Sequence, residues 1–290
     1  MVKAMRNQIL QHLSNIEESE TVKIIYACES GSRAWGFAST DSDYDVRFIY
    51  AHPPAWYLSI DSERRRDVLE DDAVAPLDLN GWDLKKALKL LRKSNPPLLE
   101  WLGSPIVYRE EASIVAGLRG LLPVFYSPTA CLYHYWYMAL GNYRVYLQRE
   151  VVWVKKYFYV LRPLLAIRWL ERDLGVVPTE FERLVTHTVD SPELRSAIDM
   201  LISEKQQGHE LKCGERIPVI GDFIESELQR IELLVTNIER KRCDPPDDCL
   251  NVFFRETLCE LWPQAANILR PATCPGAMGV DSASPLCDVR

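Results

Sequence analysis

Gly31-Ser32-Arg33-Ala34-Trp35-Gly36-Phe37-Ala38-Ser39-Thr40-Asp41-Ser42-Asp43-Tyr44-Asp45-Val46-Arg47 lies between two stretches that read as β-strands, and it decides the fold. The stretch before it, Val22 to Cys28, is rich in β-branched residues, and Glu29-Ser30-Gly31-Ser32 then breaks the strand with small polar residues suited to a turn into a helix. At such a turn the backbone N–H groups of Gly31 and Ser32, with the Ser32 hydroxyl, can receive phosphate oxygens. Tyr44 to Tyr50 reads as the second strand. Asp43 and Asp45, two apart at its start, point to one face. Paired carboxylates beside a phosphate-binding turn suit a hard divalent cation, Mg²⁺ or Mn²⁺, that also holds substrate phosphates. A third acid would complete a two-metal site. Asp78 is favoured, because Val74-Ala75-Pro76-Leu77-Asp78-Leu79-Asn80 reads as a neighbouring strand; Asp83 is the rival, with an ordinary role at a helix start.

Working outward, Met5, Ile9, Leu10, Leu13 and Ile16 recur at helical spacing and make the first seventeen or so residues an amphipathic helix. Trp56 to Ile60 and Asp67 to Leu69 are short strand candidates around a charged tip, Asp61 to Arg66. From Trp82 the period becomes helical, with Leu84, Ala87, Leu88 and Leu91 on one face, and Asn95-Pro96-Pro97 starts a further helix. Pro123 and Pro128 bracket a boundary. Beyond it, helices are expected over 129–148, 151–173, 179–188, 191–207 and 221–242, with a short one over 252–261. The expected architecture is α+β: a catalytic domain over 1–125 with a small mixed sheet, an all-helical domain over 126–262, and a poorly ordered tail over 263–290.

Composition limits the function classes. Hydrophobic residues at 47% and charged residues at 26% are globular averages. No stretch has the length of an apolar span, and the N-terminus mixes Lys3, Arg6 and Gln11 into its apolar residues, so a cytoplasmic protein with no membrane partner is expected. The eight cysteines include no CxxC pair, which leaves zinc without ligand spacing. Net charge is −7, yet Tyr133 to Arg172 holds seven basic residues, Arg144, Arg149, Lys155, Lys156, Arg162, Arg168 and Arg172, against Glu150 and Glu171. Cations there could hold β- and γ-phosphates, Lys155, Lys156 and Arg162 foremost, against the alternative of a solvated face. Arg33 and Arg47 could touch phosphate or neutralise the carboxylates, a structural ion pair being equally open for Arg47. The aromatic stripe of the same segment reads mainly as core.

The Gly-Ser turn, Asp43-Tyr44-Asp45 and Asp78 together resemble the catalytic signature of the DNA polymerase β nucleotidyltransferase superfamily. Glu29 to Gly36, Asp43 to Tyr50, Gly81 to Leu88 and Leu161-Arg162-Pro163-Leu164-Leu165 are similar to the YcgL-type group, the RNA-ligase-associated polymerase-β-like proteins. The likeness spans roughly residues 20 to 175 and implies a sheet of the polymerase β type. By it, Gly31 and Ser32 would hold a nucleoside triphosphate, Asp43 and Asp45 would ligate both metals, and Asp78 would help activate the attacking hydroxyl. An RNA end is the first acceptor it suggests. A protein or small-molecule acceptor is the alternative, and a non-catalytic nucleotide-binding or toxin–antitoxin component a third reading. None of these sets an oligomeric state.

Overall fold

A computed structural model describes residues 2–71, 76–208, 213–238 and 247–265. The chain opens with α1 (Val2–Glu20), whose Ile9, Leu13 and Ile16 are buried, as their spacing requires. Then follow β1 (Lys23–Glu29), α2 (Gly31–Trp35), β2 (Tyr44–Ala51), α3 (Pro54–Tyr57), β3 (Val68–Asp71), β4 (Leu77–Asp83), α4 (Leu84–Arg92), α5 (Pro96–Leu102), β5 (Val107–Glu110), α6 (Ala112–Gly120) and α7 (Leu122–Phe125). The second half holds α8 (Pro128–Tyr146), β6 (Val151–Trp153), α9 (Lys156–Glu171), α10 (Phe181–Thr188), α11 (Pro192–Gln206), β7 (Cys213–Glu215), α12 (Pro218–Asn237) and α13 (Asp247–Leu261). The class is α+β.

Five strands form one sheet in the order β3-β4-β2-β1-β5, mixed because β2 and β4 run parallel while the other neighbours are antiparallel. Both faces are covered. Ile24, Ala27, Val46, Phe48, Leu77 and Leu79 pack with α1, and Ile25, Ile49 and Ala51 pack with residues of α4, α5 and α6. This double cover explains why β1 reads as a nearly continuous apolar run and not as an alternation. The helical half has its own core, in which α9 is buried over most of its length and packs on α8, α10 and α12. No single described helix is long and apolar enough to cross a membrane.

Several expectations change. Trp56 to Ile60 is no strand: Pro53-Pro54 starts the short α3, and Ile60 is fully exposed. The helix expected from Trp82 begins only at Leu84, because β4 continues through Asp83 in register with Tyr50. Asp83 then caps α4, accepting from the Lys85 N–H at 2.8 Å and from the Tyr57 hydroxyl at 2.7 Å. The helix expected over 151–173 starts as a strand, β6, paired antiparallel with β7, where Trp153 stands opposite Cys213. At the other end, α13 packs against α4 and α6, with Leu250 and Leu258 in the core below the sheet. The last helix therefore returns to the sheet-bearing half. Of the tail expected over 263–290, Pro263–Ala265 form a 3₁₀ turn and the rest lies outside the described residues, as do residues 239–242 of the last long helix.

Candidate active site

The turn after β1 is tied to β2 by its backbone, the Ser30 N–H donating to the Asp45 carbonyl at 2.8 Å. Gly31 takes a left-handed φ of 57°, and a Cβ there would stand 2.0 Å from Asp45 Oδ2. Only glycine lets the main chain come so near that carboxylate. Asp43 is exposed at the mouth and Asp45 half-buried, and both line a cleft of about 820 Å³ together with Ser32. Asp78 lies directly across from Asp45 on the parallel ladder of β2 and β4. Arg47 links the two acids: its Nη2 donates to Asp78 Oδ2 at 2.8 Å and to Asp45 Oδ1 at 3.3 Å, while Nη1 donates to the Val46 and Asp78 carbonyls at 3.1 Å. Burial pushes the Asp45 carboxyl above its ordinary range, Arg47 opposes this, and the negative charges of Asp78 and Asp43 add to it.

A fourth acid lies beneath. Glu29, fully buried at the end of β1, accepts the Asp45 N–H at 2.7 Å and the Tyr108 hydroxyl on its other oxygen. Burial nevertheless raises its pKa to about 7, the two hydrogen bonds working the other way. Its one sequence signal was position, an acid closing an apolar strand immediately before a Gly-Ser turn.

The opposite wall comes from the helical half and from the β6–β7 ribbon. Lys155, Phe158 and Tyr159 around the start of α9, Trp153 of β6, Lys205 of α11 and Cys213 of β7 all face the cleft, with Trp35 and Phe37 at its floor. Phe37 stacks on Phe158 with ring centroids 4.3 Å apart, which fixes the floor to α9. Lys205 was missed in the sequence, being far along the chain on a helix of ordinary composition. Burial and the nearby charge of Lys155 lower its pKa, while Asp43 raises it.

The remaining sequence candidates scatter. Lys155 joins the site, but the Lys156 amine lies over the rings of Tyr146 and Tyr159, 4.5 and 4.4 Å from their centroids. Arg33 lies on the far side of the turn, stacked 3.7 Å over Tyr44 and donating to the Ser42 and Asp43 carbonyls, where it braces the acidic loop from behind. Arg162 is buried, pairs with Glu100 at 2.6 Å and donates to the Pro178 and Thr179 carbonyls; it does not face the cleft. A charge in an apolar interior is retained only with such partners, so its sequence reading as a phosphate ligand gives way to a structural one. Arg168 and Arg172 likewise spend their charge on Glu227 and Asp190.

The donor set fits a hard cation: carboxylate oxygens from adjacent strands, beside a glycine that leaves room for them. Among the described residues no three acid, imidazole or thiol groups yet converge as metal ligands.

A family model described as RlaP, RNA repair pathway DNA polymerase beta family, matches residues 5–256. The chain belongs to this family. YcgL of Bacillus subtilis (strain 168), described as an uncharacterized protein, is 46% identical over 258 residues, 89% of this chain and 98% of that one. A crystal structure of a nucleotidyltransferase-like protein from Exiguobacterium sibiricum 255-15 covers 89% of this chain and 91% of its own at 13% identity, with a TM-score of 0.31. Membership of the polymerase beta family makes the chain nucleotidyltransferase-like.

Proposed function

We propose that the chain moves a nucleoside monophosphate from a nucleoside triphosphate to an acceptor hydroxyl, and that the acceptor is an RNA end. One observation carries the transfer: Asp43, Asp45, Ser32, Lys155 and Lys205 line a single cleft, with Asp78 tied to Asp45 through Arg47. The family's description as part of an RNA repair pathway supports the choice of acceptor. The acceptor hydroxyl releases its proton, with Asp78 as the carboxylate that helps take it, as its oxygen bonds to the α-phosphorus; the bond from that phosphorus to the bridging oxygen breaks, and pyrophosphate leaves with the electron pair. Bound Mg²⁺ or Mn²⁺ would offset triphosphate charge and make the acceptor hydroxyl more acidic.

The chain's own groups do the positioning. Asp43 and Asp45, with Asp78, would hold the cations, while Ser32 and the first N–H groups of the turn receive phosphate oxygens. Lys155 and Lys205 face the acids across the cleft and absorb charge that develops on the pyrophosphate. Trp153, about half exposed, offers a ring face to a base, and stacking of that kind tolerates any base.

Replacing Asp43 or Asp45 with Ala is expected to cut transfer of labelled nucleotide to RNA ends roughly a thousandfold, a loss typical of removing a transition-state stabiliser. The exposed Asp43 variant should keep its stability within about 0.5 kcal/mol. Wild-type transfer by either variant would refute the site. Label entering protein or a small molecule, and never RNA, would refute the acceptor alone.

A further inference from the structure

Arg47 follows Asp45 by two residues on β2, so its side chain stands on the same sheet face. A single nitrogen, Nη2, donates to Asp45 at 3.3 Å and to Asp78 at 2.8 Å. That nitrogen stands between the two carboxylates, where an ion shared by both would sit. A hard cation such as Mg²⁺ holds its oxygens at about 2.0–2.1 Å. Both acids must therefore close in by about an ångström, and the guanidinium must withdraw, before they can share one.

We infer that Arg47 is a resident counter-ion of the site, which disfavours bare divalent cations and lets metal enter only together with the triphosphate. The inference rests on reading the cleft as a triphosphate site. Its physical basis is a difference between two arrivals. A bare ion has to displace two charge-assisted hydrogen bonds and then leaves a positive guanidinium beside it. A metal–triphosphate complex brings negative oxygens that accept the released Nη2, so the displaced bonds are replaced. The Nη1 contacts to the Val46 and Asp78 carbonyls hold the guanidinium beside the site when Nη2 lets go.

A purely structural clamp makes the opposite forecast. If Arg47 served only to fix Asp78 on β4, removing it would loosen the acid and weaken metal binding. Free Mn²⁺ followed by electron paramagnetic resonance separates the two, with and without a non-hydrolysable triphosphate analogue, in wild type, Arg47→Ala, Arg47→Gln and Arg47→Lys. The neutral variants should bind Mn²⁺ alone roughly tenfold tighter or more, the worth of a lost charge-assisted contact. The boost that the analogue gives to Mn²⁺ binding should shrink in them. Arg47→Lys keeps the charge without the fork that reaches both acids and carbonyls, and should fall between. It also serves should the neutral variants fail to fold. Affinity for Mn²⁺ alone that is unchanged or weaker in every folded variant overturns the inference. If the wild type takes up the Mn²⁺–analogue complex in that experiment, the cleft reading survives and the role of Arg47 alone fails. If it takes up neither ion nor complex, the cleft reading itself fails.

Discussion

Glu29 is a fully buried carboxyl group, seated under a second carboxyl and held, among the described residues, by two donors, the Asp45 N–H and the Tyr108 hydroxyl. Because it fixes the backbone of Asp45, it is a positioning residue for the acid above it. Its pKa of about 7 in the folded chain, against 4.5 for an ordinary glutamate, has a consequence for stability. The folded state keeps this proton where the unfolded chain has released it, so the group's contribution is full below pH 4.5 and is lost as pH rises towards 7. A shift of that size corresponds to at most about 3 kcal/mol. Glu29→Gln removes the titration, and the drop in unfolding free energy between pH 5 and pH 8 should shrink by a measurable part of that amount. Urea titrations at the two pH values check this. An identical pH dependence in variant and wild type would mean that Glu29 is ionised throughout.

At the scale of elements, the turn from β1 into α2 brings its backbone against the Asp45 carboxylate, and it tolerates almost no added volume. Gly31→Ala puts a methyl group into Asp45 Oδ2 and a side chain at a left-handed φ. The backbone alone costs about 1 kcal/mol, and displacing Asp45 adds to it. The variant is expected to melt several degrees lower and to lose triphosphate binding in the presence of Mn²⁺, measured by calorimetry. Undiminished binding would separate the turn from the site. This turn was legible in the sequence because strand, small residues and spaced acids are local signals. β1, β2 and β4 were legible for the same reason. The β6–β7 ribbon was not: Val151-Val152-Trp153 runs almost directly into α9, and its partner Cys213-Gly214-Glu215 has no strand-forming residue, so only the pairing between distant segments defines it. Arg162 was misread because periodicity cannot tell a basic residue that faces solvent from one that faces Glu100.

Across the whole molecule, a net charge of −7 sets a general repulsion against polyanions, so any RNA contact must be local. The sequence offered Arg144, Arg149, Arg168 and Arg172 as the surplus, and the fold divides them. Arg168 pairs with the buried Glu227 and Arg172 with Asp190, whereas Arg144 and Arg149 are exposed at the end of α8 and just beyond it. These last two precede in sequence the β6 ribbon that carries Trp153 to the cleft, which makes them the cations to test for contact with an acceptor strand. If RNA is the acceptor, replacing both with Ala should lower its affinity and flatten its salt dependence. Each lost contact to a single strand removes about 0.7 from the logarithmic slope, so the pair should remove about 1.4. Triphosphate affinity should stay as it is, since neither residue lines the cleft. Arg168→Ala is the contrasting variant: it strips a partner from buried Glu227, which keeps Arg230, and should cost about 1–3 kcal/mol of stability without changing the slope. RNA affinity measured across a salt series for the three proteins decides the matter. Superimposable curves for wild type and the double variant would place the acceptor elsewhere, or make it something other than RNA. A slope that changes with Arg168→Ala instead would mean that the ion pair with Glu227 opens to bind phosphate.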